Sequence, residues 1–196
     1  MSNDYLQLPA DLPQPQDDGA ADHLPGTRLP ALSLPASDGR LIDLSQQPGL
    51  VVVYAYPMTG RPGVALPEGW DAVPGARGCT PQSCAYRDSH ASLIECGAML
   101  FGLSVQDTAY QQELVERLHL PFPVLSDGAL ALATAMRLPT FDIAGMRLLR
   151  RLTWIAEDGV IQAVHYPVFP SDADAAWVLA YLRARSASAK SSTAEA

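Results

Sequence analysis

The chain has 196 residues, 48% of them apolar, which suits one α/β domain with its own core. Its formal net charge of -8 argues against nucleic acid or anionic membrane as a partner, since both would repel it. Three cysteines do not make a disulfide scaffold, and no segment approaches the ~20 apolar residues that span a bilayer.

Residues 1–26 are rich in Pro, Asp and Gly with no sustained period, and read as a poorly ordered arm. They open Met1-Ser2-Asn3-Asp4-Tyr5, without a basic stretch and apolar run, so no secretory leader is predicted and a reducing, cytoplasmic home is expected. The folded domain is expected over 27–185. Ala31 to Leu34 and Leu41 to Leu44, about a turn at Ser37-Asp38-Gly39-Arg40, predict a hairpin. The β-branched run Leu50 to Tyr56 predicts a buried central strand. A Pro- and Gly-dense loop follows from Pro57 to Gly78. Thr80 to Glu95 has helical spacing, with Pro81 suited to a first turn. Ala98 to Ser104 predicts a strand, Asp107 to Leu118 a helix, Phe122 to Ser126 a short strand and Ala129 to Met136 a short helix. Leu148 to Ile155 and Val160 to His165 predict a second hairpin around Glu157-Asp158-Gly159. Asp172 to Arg183 is the last expected helix, with Ser171 as its cap, and 186–196 reads as a disordered tail. That order of elements predicts a mixed sheet with helices on both faces.

The chemistry concentrates in Gly78-Cys79-Thr80-Pro81-Gln82-Ser83-Cys84-Ala85-Tyr86-Arg87-Asp88. A cysteine attacks a peroxide only as thiolate, and a free cysteine's pKa of ~8.5 falls at a helix N-terminus or beside arginine. Cys79 follows glycine at the expected helix start, where backbone N–H groups would face its sulfur. A sulfenic acid formed there would condense with a nearby thiol, and Cys84 is five residues on. In an intact helix five residues separate Cα atoms by roughly 8–9 Å, while a disulfide spans at most ~7 Å. The first turns would therefore have to unwind before the two sulfurs could join.

Gly-Cys-Thr-x-x-x-Cys followed by x-x-Arg-Asp resembles the active-site helix of the Q-type (bacterioferritin-comigratory-type) peroxiredoxins. Tyr56-Pro57, Leu125-Ser126-Asp127, Arg151-Leu152-Thr153-Trp154 and Asp158-Gly159 resemble further pieces of that family, so that the likeness covers about residues 26–183. The resemblance implies a thioredoxin-like α/β fold with a central mixed sheet and an N-terminal hairpin. It implies a thiol peroxidase in which Cys79 reduces hydrogen peroxide or organic hydroperoxides and Cys84 resolves it into an intramolecular disulfide. Pro57 would shield the sulfur, Thr59 would hydrogen-bond the peroxide, and Arg151 would steady the developing charge. Thioredoxin or glutaredoxin would reduce the disulfide, no metal, flavin or haem is required, and the protein would be a monomer or homodimer. The family places its threonine three residues before the cysteine, where this chain has Ala76; about seventeen extra residues, Gly60 to Ala76, intervene. Thr80 is therefore the alternative to Thr59. Arg150 is the rival to Arg151, since neighbours on a strand face opposite ways and only one could enter the pocket.

Other readings stand beside this one. Cys79 and Cys84 could exchange disulfides with protein partners, or the fold could serve as a non-catalytic redox sensor. Cys96 reads as structural, and His119 and His165 as ordinary surface or core residues. Cys79, Cys84 and His90 lack the spacing and fourth ligand of a zinc site. Trp70 either lids the pocket or pins its loop, and Arg87-Asp88 is either a plain ion pair or a support for the site.

Overall fold

A computed structural model describes residues 12–194. The centre is a five-stranded sheet in the order β5-β4-β3-β8-β9. β3 (Leu50–Ala55) runs parallel to β4 (Ala98–Ser104), which runs parallel to β5 (Val124–Ser126). β8 (Leu152–Glu157) lies antiparallel to β3 on its other side and pairs with β9 (Val160–His165). The sheet is therefore mixed. β1 (Ser33–Pro35) and β2 (Leu41–Asp43) form the expected N-terminal hairpin. The helices are α1 (Cys79–Glu95), α2 (Thr108–Leu118), α3 (Ala131–Met136) and α4 (Asp174–Ala194).

The central strand shows why its sequence is apolar without alternation. Val51, Val53 and Ala55 pack into one core with α3 and the N-terminal hairpin. Val52 and Tyr54 pack into a second core with α1, α2 and α4. Successive strand residues face opposite sides, and here both sides are covered. Gly102 on β4 makes room for Tyr54, because a Cβ there would lie 3.0 Å from the tyrosine ring and hydroxyl.

Four expectations change. Leu148 and Leu149 do not belong to the strand that continues to Ile155. They lie on β7 (Met146–Leu149), which pairs with β6 (Thr140–Ile143) in a hairpin of its own. Arg150 and Arg151 form the break between β7 and β8. The arm is shorter than 1–26, because Ala21 and Leu24 are buried in the α3-side core; residues 1–11 lie outside the described residues. The last helix begins at Asp174, after a 3-10 turn over Ser171–Ala173 with no side-chain cap, and runs past Arg183 to Ala194. The Ala- and Ser-rich stretch read as a tail continues that helix. Alanine is the strongest helix former, and the Ser186 and Ser188 hydroxyls donate to carbonyls one turn back.

The expected loop 57–78 has structure as well. Trp70 opens a 3-10 turn (Trp70–Ala72), is 3% exposed, and packs at a ring separation of 6.2 Å from Phe141 on β6. With Ala76 and Leu148 it builds a third small core under the inserted residues. Trp70 pins the insertion to the β6–β7 hairpin.

Candidate active site

Gly78 caps α1 with φ 105°, a left-handed conformation that glycine adopts without strain, and Cys79 is the first helical residue. Pro81 falls in the first turn, where its missing N–H would have had no helical acceptor. Cys79 is 4% exposed. Its sulfur lies 3.1 Å from Nη2 of Arg151, which donates to it. The same nitrogen donates to the carbonyls of Gly75, Ala76 and Arg77 at 3.1–3.2 Å. The insertion thus returns to the sulfur and supplies the acceptors that hold the guanidinium. Nη1 of Arg151 donates to Oε1 of Gln82, one turn into α1. Nε has no acceptor among the described residues.

Behind Gln82 lies a polar cluster that sequence reasoning missed. Gln82 Nε2 donates to Oδ2 of Asp174 at 2.7 Å. Tyr86 and Thr153 donate to the same oxygen at 2.9 and 2.7 Å. His165 Nδ1 sits 2.8 Å from Oδ1, and its ring stacks on Trp177. Asp174 and Gln82 are both fully buried. His165 is therefore neither a plain surface nor a plain core residue. It closes a chain from β9 through α4 and α1 to the sulfur.

Arg151, not Arg150, reaches the sulfur. Extending the alternation of β8 backwards from Ile155 and Thr153 puts Arg151 on the α1 face. Both arginines nevertheless line a recess shared with Pro57, Pro74, Phe141, Tyr166 and Val168. Of the two, Arg151 alone is hydrogen-bonded to the sulfur. Pro57 is one of the residues lining this recess, and Cys79 is not. Neither Thr59 nor Thr80 is among its lining residues. The Thr59 N–H and Oγ both donate to Gln106 Oε1, at 3.0 and 3.1 Å, and its carbonyl accepts from Tyr110. Thr80, buried beside Cys79, is nearer by chain position.

Cys84 is half-buried on the same intact helix as Cys79, and the two thiols are free. Burial pushes the Cys84 thiol above its ordinary range, while the Arg87 guanidinium pulls it partly back. Arg87 pairs with Asp88 at 2.9 Å and also donates to the Leu118 carbonyl, tying α1 to the end of α2. Cys96 caps the C-terminus of α1 and packs at the edge of the second core. Beneath α1, Tyr54 stacks between Tyr56 and Tyr86, and burial holds all three phenols well above their usual range.

A buried cysteine at a helix start, hydrogen-bonded to a buried arginine that directly precedes β8 of a mixed sheet, is the arrangement of a thiol-centred redox protein. The chain belongs to the redoxin family, which matches it over residues 24–179. Within that family its place is with the Q-type peroxiredoxins. The chloroplastic peroxiredoxin Q of Oryza sativa subsp. japonica is 32% identical over 141 residues, 71% of this chain and 58% of the relative. This chain thus spans under three-fifths of that relative's length. The chloroplastic peroxiredoxin Q of Gentiana triflora is 27% identical over 166 residues, 82% of this chain and 69% of its own. Peroxidoxin BcpB of Mycobacterium tuberculosis matches with a TM-score of 0.67 at 26% identity, over 82% of this chain and 96% of that one. Peroxiredoxin Q of Xanthomonas campestris shares the fold, with a TM-score of 0.63 at 21% identity over 89% and 98% of the two chains.

Proposed function

We propose that the protein is a thiol peroxidase in which Cys79 is the reacting thiol and Cys84 the resolving one. The observation that carries this is the 3.1 Å contact between Arg151 Nη2 and a sulfur set at the first turn of α1. A guanidinium and a helix start are both suited to negative charge that develops during the reaction. The thiolate attacks one peroxide oxygen; an S–O bond forms, the O–O bond breaks, and the other oxygen leaves as water or alcohol after protonation. Arg151 steadies the charge on the departing oxygen, and its unpartnered Nε–H is a donor left for the peroxide. Pro57 keeps water from the sulfur. We assign the supporting hydroxyl to Thr80, because Thr59 is held by Gln106 and Tyr110.

Cys84 then attacks the Cys79 sulfenic acid, forming the disulfide and releasing water. An external dithiol of the thioredoxin or glutaredoxin type takes the oxidising equivalents by exchange. That step needs a reducing compartment such as the cytoplasm. The substrate is hydrogen peroxide or an organic hydroperoxide, reaching the sulfur from the side of Arg151. The rival reading, disulfide exchange with protein partners, fits poorly with a sulfur on a residue 4% exposed, which a small peroxide reaches more readily than a protein disulfide. Peroxide consumption with a thioredoxin system tests the proposal on wild type, Cys79→Ser and Cys84→Ser. No turnover is expected from the first variant. The second is expected to oxidise once and stall. Sustained turnover by Cys79→Ser overturns the assignment.

A further inference from the structure

The polar cluster around Asp174 bears on a step that the static site leaves open. Cys79 and Cys84 sit on one wound helix, so disulfide formation requires the stretch 79–86 to unwind. Two residues of that stretch, Gln82 and Tyr86, are gripped by one carboxylate oxygen of Asp174, at 2.7 and 2.9 Å. Asp174 is the first residue of α4 and is itself fixed by Thr153 at 2.7 Å and His165 at 2.8 Å. One oxygen of this carboxyl takes three donors, the other lies against the His165 ring, and neither is exposed to water. The two bonds from α1, those of Gln82 and Tyr86, must both break before the turn can open.

We infer that Asp174 is the latch of the cycle, a positioning residue that holds the first two turns of α1 closed and so sets the fate of oxidised Cys79. This rests on the peroxidase reading above. While the latch is shut, Gln82 keeps Arg151 on the sulfur and the peroxide-reactive state persists. When it opens, Gln82 and Tyr86 leave together and Cys84 attacks the sulfenic acid. The competing reaction consumes a second peroxide: its O–O bond breaks, sulfur gains an oxygen as sulfinate, and alcohol or water leaves. That reaction needs the closed site. A tighter latch therefore favours sulfinate, and a looser one favours disulfide.

The test uses the full chain as wild type, Asp174→Asn and Tyr86→Phe, with rapid quench and mass spectrometry to follow sulfenic acid, disulfide and sulfinate on Cys79. Tyr86→Phe removes one grip and keeps the ring stack, so it decides the matter if Asp174→Asn does not fold. Disulfide formation should quicken about tenfold, from the loss of one buried hydrogen bond. The peroxide concentration that yields half sulfinate should rise in step, while the first oxidation slows. A core variant on the opposite face of the sheet, Leu132→Ala, lowers stability without touching the latch and should leave the disulfide-to-sulfinate ratio unchanged. Disulfide formation that is unchanged or slower in Tyr86→Phe overturns the latch, as does an equal shift in Leu132→Ala. If instead wild-type Cys79 forms no sulfenic acid, the peroxidase reading itself fails.

Discussion

Arg151 and Cys79 are 72 positions apart in sequence, yet the guanidinium reaches the sulfur at 3.1 Å inside the protein. One side chain serves the sulfur, three carbonyls of the inserted loop and Gln82. That many fixed partners require a planar fork of donors, which lysine does not have.

Arg151→Met should slow the oxidation of Cys79 by about a hundredfold or more, the effect of removing a pre-aimed donor from developing charge. Arg151→Lys should recover little of it. Arg150→Met should change the rate far less, since Arg150 lines the recess without bonding the sulfur. Single-turnover kinetics of the three variants check this ordering, and an equal loss in the two Met variants contradicts it.

The threonine assignment separates cleanly. Thr80→Val should slow Cys79 oxidation about tenfold, the worth of one hydrogen bond in the transition state. Thr59→Val should instead cost about 1 kcal/mol of stability through its bond to Gln106, with a smaller effect on rate. Parallel thermal melts and single-turnover rates measure both.

Resolution should depend on pH through Cys84. Burial raises its thiol above the ordinary value, and unwinding relieves that only as far as the ordinary value, which is itself above neutrality. The attacking form is the thiolate, so its fraction falls about tenfold for each pH unit below the thiol's pKa. Disulfide formation should therefore speed up as pH rises from 6 to 8. Arg87→Ala removes the charge that favours the thiolate and should slow the step at neutral pH. A flat profile for disulfide formation contradicts this account.

Trp70→Ala should act on the site at a distance. It empties the small core that pins the insertion against Phe141, a truncation worth about 3–5 kcal/mol in a well-packed core. The carbonyls of Gly75, Ala76 and Arg77 then lose their fixed position around Arg151. Hydrogen exchange should quicken over residues 70–79 while β3 and β4 keep their protection, and Cys79 oxidation should slow. Unchanged exchange in that segment argues that the insertion is held by something else.

The features legible in the sequence were the local ones. Gly78 before Cys79, Pro81 in the first turn and the apolar run of β3 announce themselves within a few residues, and α1 and β4 fall within a residue of their expected bounds. The β6–β7 hairpin had a signal as well: Gly145 turns the chain between two short alternating strands. The run of apolar residues from Leu148 onward obscured it. The cluster around Asp174 had none. Gln82 and Asp174 are 92 positions apart, and neither sits in a motif that marks it. Their pairing exists only because β8 and β9 bring Thr153 and His165 under the start of α4. Thr59 was read with Pro57 ahead of the insertion, and no local signal in the sequence shows that Gln106 takes its hydrogen bonds.

The most direct test of the whole account is the second-order rate constant for oxidation of Cys79 by hydroperoxide at pH 7, measured by rapid-quench mass spectrometry in the Cys84→Ser chain. With the sulfur at the first turn of α1 and Arg151 against it, the rate should exceed that of free cysteine by at least about a hundredfold. A rate equal to that of free cysteine would contradict it.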